Sequence, residues 1–148
     1  MRASPPANAR PARLARSPWG IVAEMRAGPI DRPPGEEAAT RAALASGRAA
    51  FNRQEFFAAH ELWEVAWHQL RGDERRFVQG LIQLAAALHH LQGHRPRPAE
   101  RLLTKALAKL RPGCTLALLP DVDLPRLLAA TTALQAALTT TDLSQLQL

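Results

Sequence analysis

The chain has 148 residues, enough for one domain, and Ala (29) and Leu (23) fill 52 of those positions. Val (4) and Ile (3) are scarce and Tyr is absent, which excludes a sheet fold, because pleated faces need β-branched and aromatic cover. The strongest helix formers dominate instead, so the expectation is an all-α fold, and a hydrophobic content of 47% excludes disorder over the whole length.

The net charge of +6 is unevenly placed. Residues 1–35 hold six Arg against Glu24 and Asp31, whereas the remaining 113 residues hold thirteen basic and eleven acidic groups. Nucleic acid is therefore expected only through the leader, since the rest has no dense cationic face. Cys114 is the single cysteine, so no intrachain disulfide or paired-thiol metal site forms; in its Pro-Gly loop a reactive thiol would also need a nearby base. The longest stretch without Asp, Glu, Lys or Arg is 77–94, and Gln79, Gln83, His89 and His90 make it too polar for a bilayer span. The first twenty residues mix four Arg with four Pro and lack an apolar run. A cytoplasmic protein without membrane contact is expected.

Seven of the twelve prolines lie in residues 1–35, and this leader reads as disordered; Met25 is an alternative start within it. The helical domain is expected over 36–142, followed by a short tail over 143–148. A first helix over 36–51 carries a small-residue stripe of Ala38, Ala42, Ala45 and Ala49. Asn52, with Glu55 three places on, predicts the cap of a second helix ending near Leu70 and Gly72. Asp73 predicts the cap of a third, stopped by Gly93 after Gln92. Pro96 and Pro98 open a fourth to Leu110, closed by Pro112-Gly113. Asp123 caps a fifth, with Pro125 in its first turn and Thr139–Thr141 at its end. Five helices with short links predict a compact bundle of antiparallel pairs.

Chemistry concentrates on the second helix. At about 100° per residue, Phe56, Ala59, Trp63, Ala66, Trp67 and Leu70 form one apolar stripe, with His60 at its edge and Glu64 one turn on. Glu61 and His68 lie towards solvent. A partly buried carboxylate must find a partner, and an imidazole at (i, i+4) is within reach. The third helix should be central, with Phe77, Leu81, Leu84, Leu88 and Leu91 as its main stripe. Gln79, Gln83 and His90 form a narrow polar strip, and His89 stands apart from it. His68, His90 and His94 are expected at the surface. In an antiparallel hairpin His89 falls about one turn beyond His60, roughly 6–8 Å along the axis.

Three readings stay open. One is a polar pair that fixes helix register. Another is a metal site of His60, Glu64 and His89, although His60-Glu61-x-x-Glu64 lacks the second His of the zinc-protease motif and no Glu-x-x-His pair occurs. A third is a small-molecule pocket using His60 or Glu64 as acid or base. A divalent metal is not the favoured ligand, and whether the chain is an enzyme stays open.

The run from Phe51-Asn52 through Phe57, Ala59-His60-Glu61, Glu64 and Trp67 resembles the opening of the bacterial and archaeal domain of unknown function 309 family. Gln79-Gly80-Leu81-Ile82-Gln83, followed by Ala85, Ala87 and His89, is similar to its second motif, and the likeness extends over roughly residues 44–140. The resemblance implies a small all-helical fold and no activity. It picks out His60, Glu61, Glu64, Trp67, Gln83 and His89. Gly93-His94 and Pro98-Ala99 stand where family members often carry Gly-Asn and Gly-Ala, so that turn is expected to differ. A rival likeness, carried by small residues at helix contacts such as Ala58-Ala59 and Ala106, is to tetratricopeptide-type hairpins, which bind protein partners rather than catalyse.

Overall fold

The structure, a computed structural model, describes residues 34–110 and 119–140. Most of the leader expected over 1–35 lies outside them, as do Trp19, Met25, Pro112-Gly113, Cys114 and the tail over 143–148. Among the described residues there are five helices and no strand: α1 (Pro34–Asn52), α2 (Phe56–Gln69), α3 (Gly72–Gln92), α4 (Pro96–Lys109) and α5 (Leu124–Thr140). The all-α reading of the composition holds.

Pro34 opens α1, where its missing N–H has no helical partner to lose, and Glu36 and Glu37 occupy the first turn, facing the positive end of the helix dipole. The buried positions are Thr40, Leu44, Gly47 and Ala50. The small-residue stripe of Ala38, Ala42, Ala45 and Ala49 is exposed. Ala38 and Ala42 each stand two residues from the nearest buried position, more than half a turn away. Burying one leucine and seating a tryptophan removes more apolar area than four alanines can, so that face wins. The tryptophan is Trp63 of α2, whose indole lies flat against the Gly47 backbone; a Cβ there would overlap the ring. Its Nε1 donates to the Leu44 carbonyl at 3.2 Å.

The corner between α1 and α2 differs from the one the sequence suggests. Asn52 ends α1, and Glu55 precedes α2 without a side-chain cap. Backbone groups close the turn: Gln54 takes a left-handed φ of 62°, its N–H reaches Phe51 O at 2.9 Å, and Glu55 N–H reaches Ala50 O at 3.0 Å. The corner between α3 and α4 repeats this 40 residues later. His94 has φ 55°, its N–H reaches Leu91 O at 3.0 Å, and Arg95 N–H reaches His90 O at 2.9 Å. The core follows the same spacing. Leu44, Ala50, Ala59, Trp63, Ala66 and Leu70 are buried, and so are Leu84, His90, Ala99, Leu103, Ala106 and Leu110. The helical hairpins α1–α2 and α3–α4 are thus structural repeats. His94 holds this left-handed backbone, histidine being one of the few non-glycine side chains enriched there.

Arg71, not Asp73, precedes α3, and Asp73 and Glu74 lie in its first turn. Gly72 begins this helix at φ 56° rather than ending α2. From Phe77 to Ala87 every residue except Gln79 is buried, because α3 lies between α2 and α4 as the apolar pattern predicts. Asp123 caps α5 as expected, its Oδ1 accepting from Arg126 N–H at 3.1 Å. Substantial packing joins α1 to α2, α2 to α3, α3 to α4 and α4 to α5, so each helix rests mainly on its chain neighbours. No described helix is long and apolar enough to cross a membrane.

Candidate functional site

The face of α2 that meets α3 carries the first group of ionisable side chains. Ala59, Trp63 and Ala66 fix this helix against α1 and α3, which leaves His60 buried at 5% exposure on the edge of the stripe. Glu64 sits one turn later, half-buried, with its Oε1 3.6 Å from His60 Nε2. That separation is a polar contact rather than a hydrogen bond. Burial, and then the charge of His89, push the His60 imidazole below its ordinary pKa. Burial, and then Glu61, push the Glu64 carboxyl up. Burial thus favours the neutral form of both partners, which weakens any ion pairing between them.

Phe57 joins the cluster together. It is 45% exposed, its ring is stacked over His60 at 6.4 Å and 10°, and it meets the His89 ring at 5.6 Å. His60 and His89 therefore flank one exposed aromatic on the α2–α3 seam, and Glu64 reaches His60 from one turn further along α2. The sequence reading passed over Phe57 because Phe56 beside it belongs to the apolar stripe. The signal was a phenylalanine three residues before His60, which on a helix shares its face.

The other motif residues lie elsewhere. Glu61 is exposed beside Glu64, as expected. Trp67 is buried, with the Arg75 guanidinium 3.7 Å from its ring centroid, a stacked cation–π pair. The Trp67 indole N–H has no hydrogen-bond partner among the described residues. Gln83 faces the opposite side of α3, where its Oε1 accepts from Lys109 Nζ at 3.0 Å. The strip of Gln79, Gln83 and His90 lies on the side that α4 covers, so His90 is buried rather than at the surface. His68 and His94 are exposed, as expected. Among the described residues no group of three or more His, Cys, Asp or Glu could hold a metal ion.

The pKa directions set a pH dependence. A histidine whose folded pKa is depressed contributes its stability above the unfolded value, near 6.5, and loses it as the pH falls. His90 is depressed in the same sense, by burial first and then by Arg95, His89 and Arg101. Glu64 acts oppositely: its contribution is present below its unfolded value near 4.5 and is lost as the pH rises through its raised folded pKa. The His60 ring faces His89 of α3 and Glu64 of its own helix, with Glu61 beside the latter. Urea denaturation should show stability falling from pH 7 to pH 5, with a shallower fall in His60→Gln. An identical slope in that variant would refute the assignment.

No curated protein and no solved structure matches the chain. The family model described as Domain of unknown function (DUF309) matches residues 44–102, stopping short of the span to 140 that the motifs suggest. This stretch runs from Leu44, which receives the Trp63 indole, into the second turn of α4, and includes all six positions the motifs pick out. Over residues 44–102 the chain is thus similar to that family of domains of unknown function.

Proposed function

We propose that the chain binds a small polar ligand at the α2–α3 seam, with His60, Glu64 and His89 as hydrogen-bonding groups and Phe57 as the apolar wall. The observation that carries this reading is the meeting of a buried imidazole and a half-buried carboxyl at 3.6 Å beneath an exposed phenylalanine that also touches His89. Burial favours the neutral forms of His60 and Glu64, in which each can both donate and accept a hydrogen bond. They are also poised for acid–base work near neutral pH, where such shifts are useful. A small organic molecule fits the seam better than a metal ion, since three ligating side chains do not converge among the described residues. Glu61 lies at the rim of the cluster, beside Glu64. The cytoplasm is the compartment we propose, on the single cysteine.

The test is NMR of the histidine ring resonances during a screen of small carboxylic acids, amides and heterocycles. A binder should move His60 and His89 together, and Phe57→Ala should weaken it by roughly tenfold, the scale of one well-packed aromatic contact. A screen in which no compound moves either ring would refute the proposal. A second reading, a partner-binding module in which the cluster only fixes helix packing, is favoured by the repeated hairpins and chain-neighbour packing. It predicts that His60→Gln and Glu64→Gln change stability alone.

A further inference from the structure

The far side of α3 carries a second polar group that the seam does not use. Lys109 ends α4 half-buried, and its Nζ donates to Gln83 Oε1 at 3.0 Å and to the Lys105 carbonyl at 3.4 Å. An ammonium only donates, so Gln83 must present its oxygen to Lys109, and its two Nε2 hydrogens remain for an acceptor. Gln83 is itself buried, in a stretch of α3 where its neighbours are apolar. Lys105 stands one turn before Lys109 on the same face of α4, and Arg76 stands two turns before Gln83 on the same face of α3. Arg76 and Lys105 are both close enough to Lys109 to oppose its charge, adding to the effect of burial.

Among the described residues none of these three cations has a carboxylate within ion-pair distance. Asp73 and Glu74 lie nearby in the first turn of α3, but neither forms such a pair. The negative end of the α4 dipole accounts for one ammonium at Lys109, not for two further cations beside it. The first hairpin supplies a comparison. Forty residues earlier, the places of Arg76, Gln83, Lys105 and Lys109 are taken by Glu36, Ala43, Val65 and Gln69. The scaffold therefore does not require these residues.

We propose that Lys109, Arg76 and Lys105, with Lys109 held by the buried amide of Gln83, form a binding site for a phosphate-bearing small anion between α3 and the C-terminal end of α4. A phosphate offers several acceptor oxygens to two ammoniums and one guanidinium fork, and its double charge relieves the repulsion among the three cations. The site faces away from His60 and is independent of the ligand reading of the seam.

Inorganic phosphate titrated into the isotope-labelled full chain, at ionic strength fixed with sodium chloride, tests this by amide NMR. The expected result is a saturable shift centred on Gln83 and Lys105–Leu110, with phenyl phosphate moving the same resonances. Arg76→Gln, at an exposed position, and Lys109→Met should each weaken binding by roughly tenfold, as for loss of one charged hydrogen bond. Shifts that do not saturate, that map to the arginines of residues 1–35, or that persist unchanged in Arg76→Gln would overturn the proposal. The Arg76 variant decides the matter if Lys109→Met does not fold.

Discussion

Gly47→Ala should destabilise the domain by about 2–3 kcal/mol, the cost of overpacking a filled core, although alanine is by about 1 kcal/mol the better helix residue. The sign is decided by what the new methyl meets. It would overlap Cδ1 and Nε1 of the Trp63 indole and press on Cε2. That ring is 3% exposed and tied to the Leu44 carbonyl, so it cannot swing aside without losing a buried hydrogen bond. Urea denaturation of the two proteins measures the difference. Because the clash is with the five-membered ring, Trp63→Phe should recover part of the loss when combined with Gly47→Ala, a non-additivity confined to touching residues. A Gly47→Ala variant as stable as the parent would mean that the indole does not lie on this backbone.

The second large effect is expected at Phe77. It heads the fully buried side chains by volume, at 0% exposure, near the start of α3, which packs against both α2 and α4. Phe77→Ala should cost about 3–5 kcal/mol, combining lost transfer energy with a cavity that rigid neighbours cannot close. Phe57→Ala is the informative control. Its ring is nearly half exposed, so its removal should leave the denaturation midpoint close to that of the parent. Equal losses at Phe57 and Phe77 would refute the placement of both.

Helix number, order and most boundaries were legible because Ala, Leu, Pro and Gly mark helices through local backbone preference. Asp123 was legible as a cap for the same reason, its side chain acting three residues away. Asn52 and Asp73 were not. Their capping signals are local, but the corners are set by left-handed Gln54 and by Gly72, whose conformations answer to how the helices pack. Which face of α1 packs was not legible either, since the distant Trp63 chooses it. His60 and Glu64 could be paired because both lie on one helix. Gln83 could not be assigned to Lys109, 26 residues away, since that contact exists only once α4 folds back on α3.

The duplicated corner carries an evolutionary consequence. Forty residues from His60, Glu64 and His89 stand Glu100, Thr104 and Ala49, while the turn hydrogen bonds and the core spacing are kept in both halves. Architecture is thus held in two copies, while each half carries polar residues of its own. A lineage with such a gene can rewrite either half's polar surface while the spare half preserves the pattern for folding.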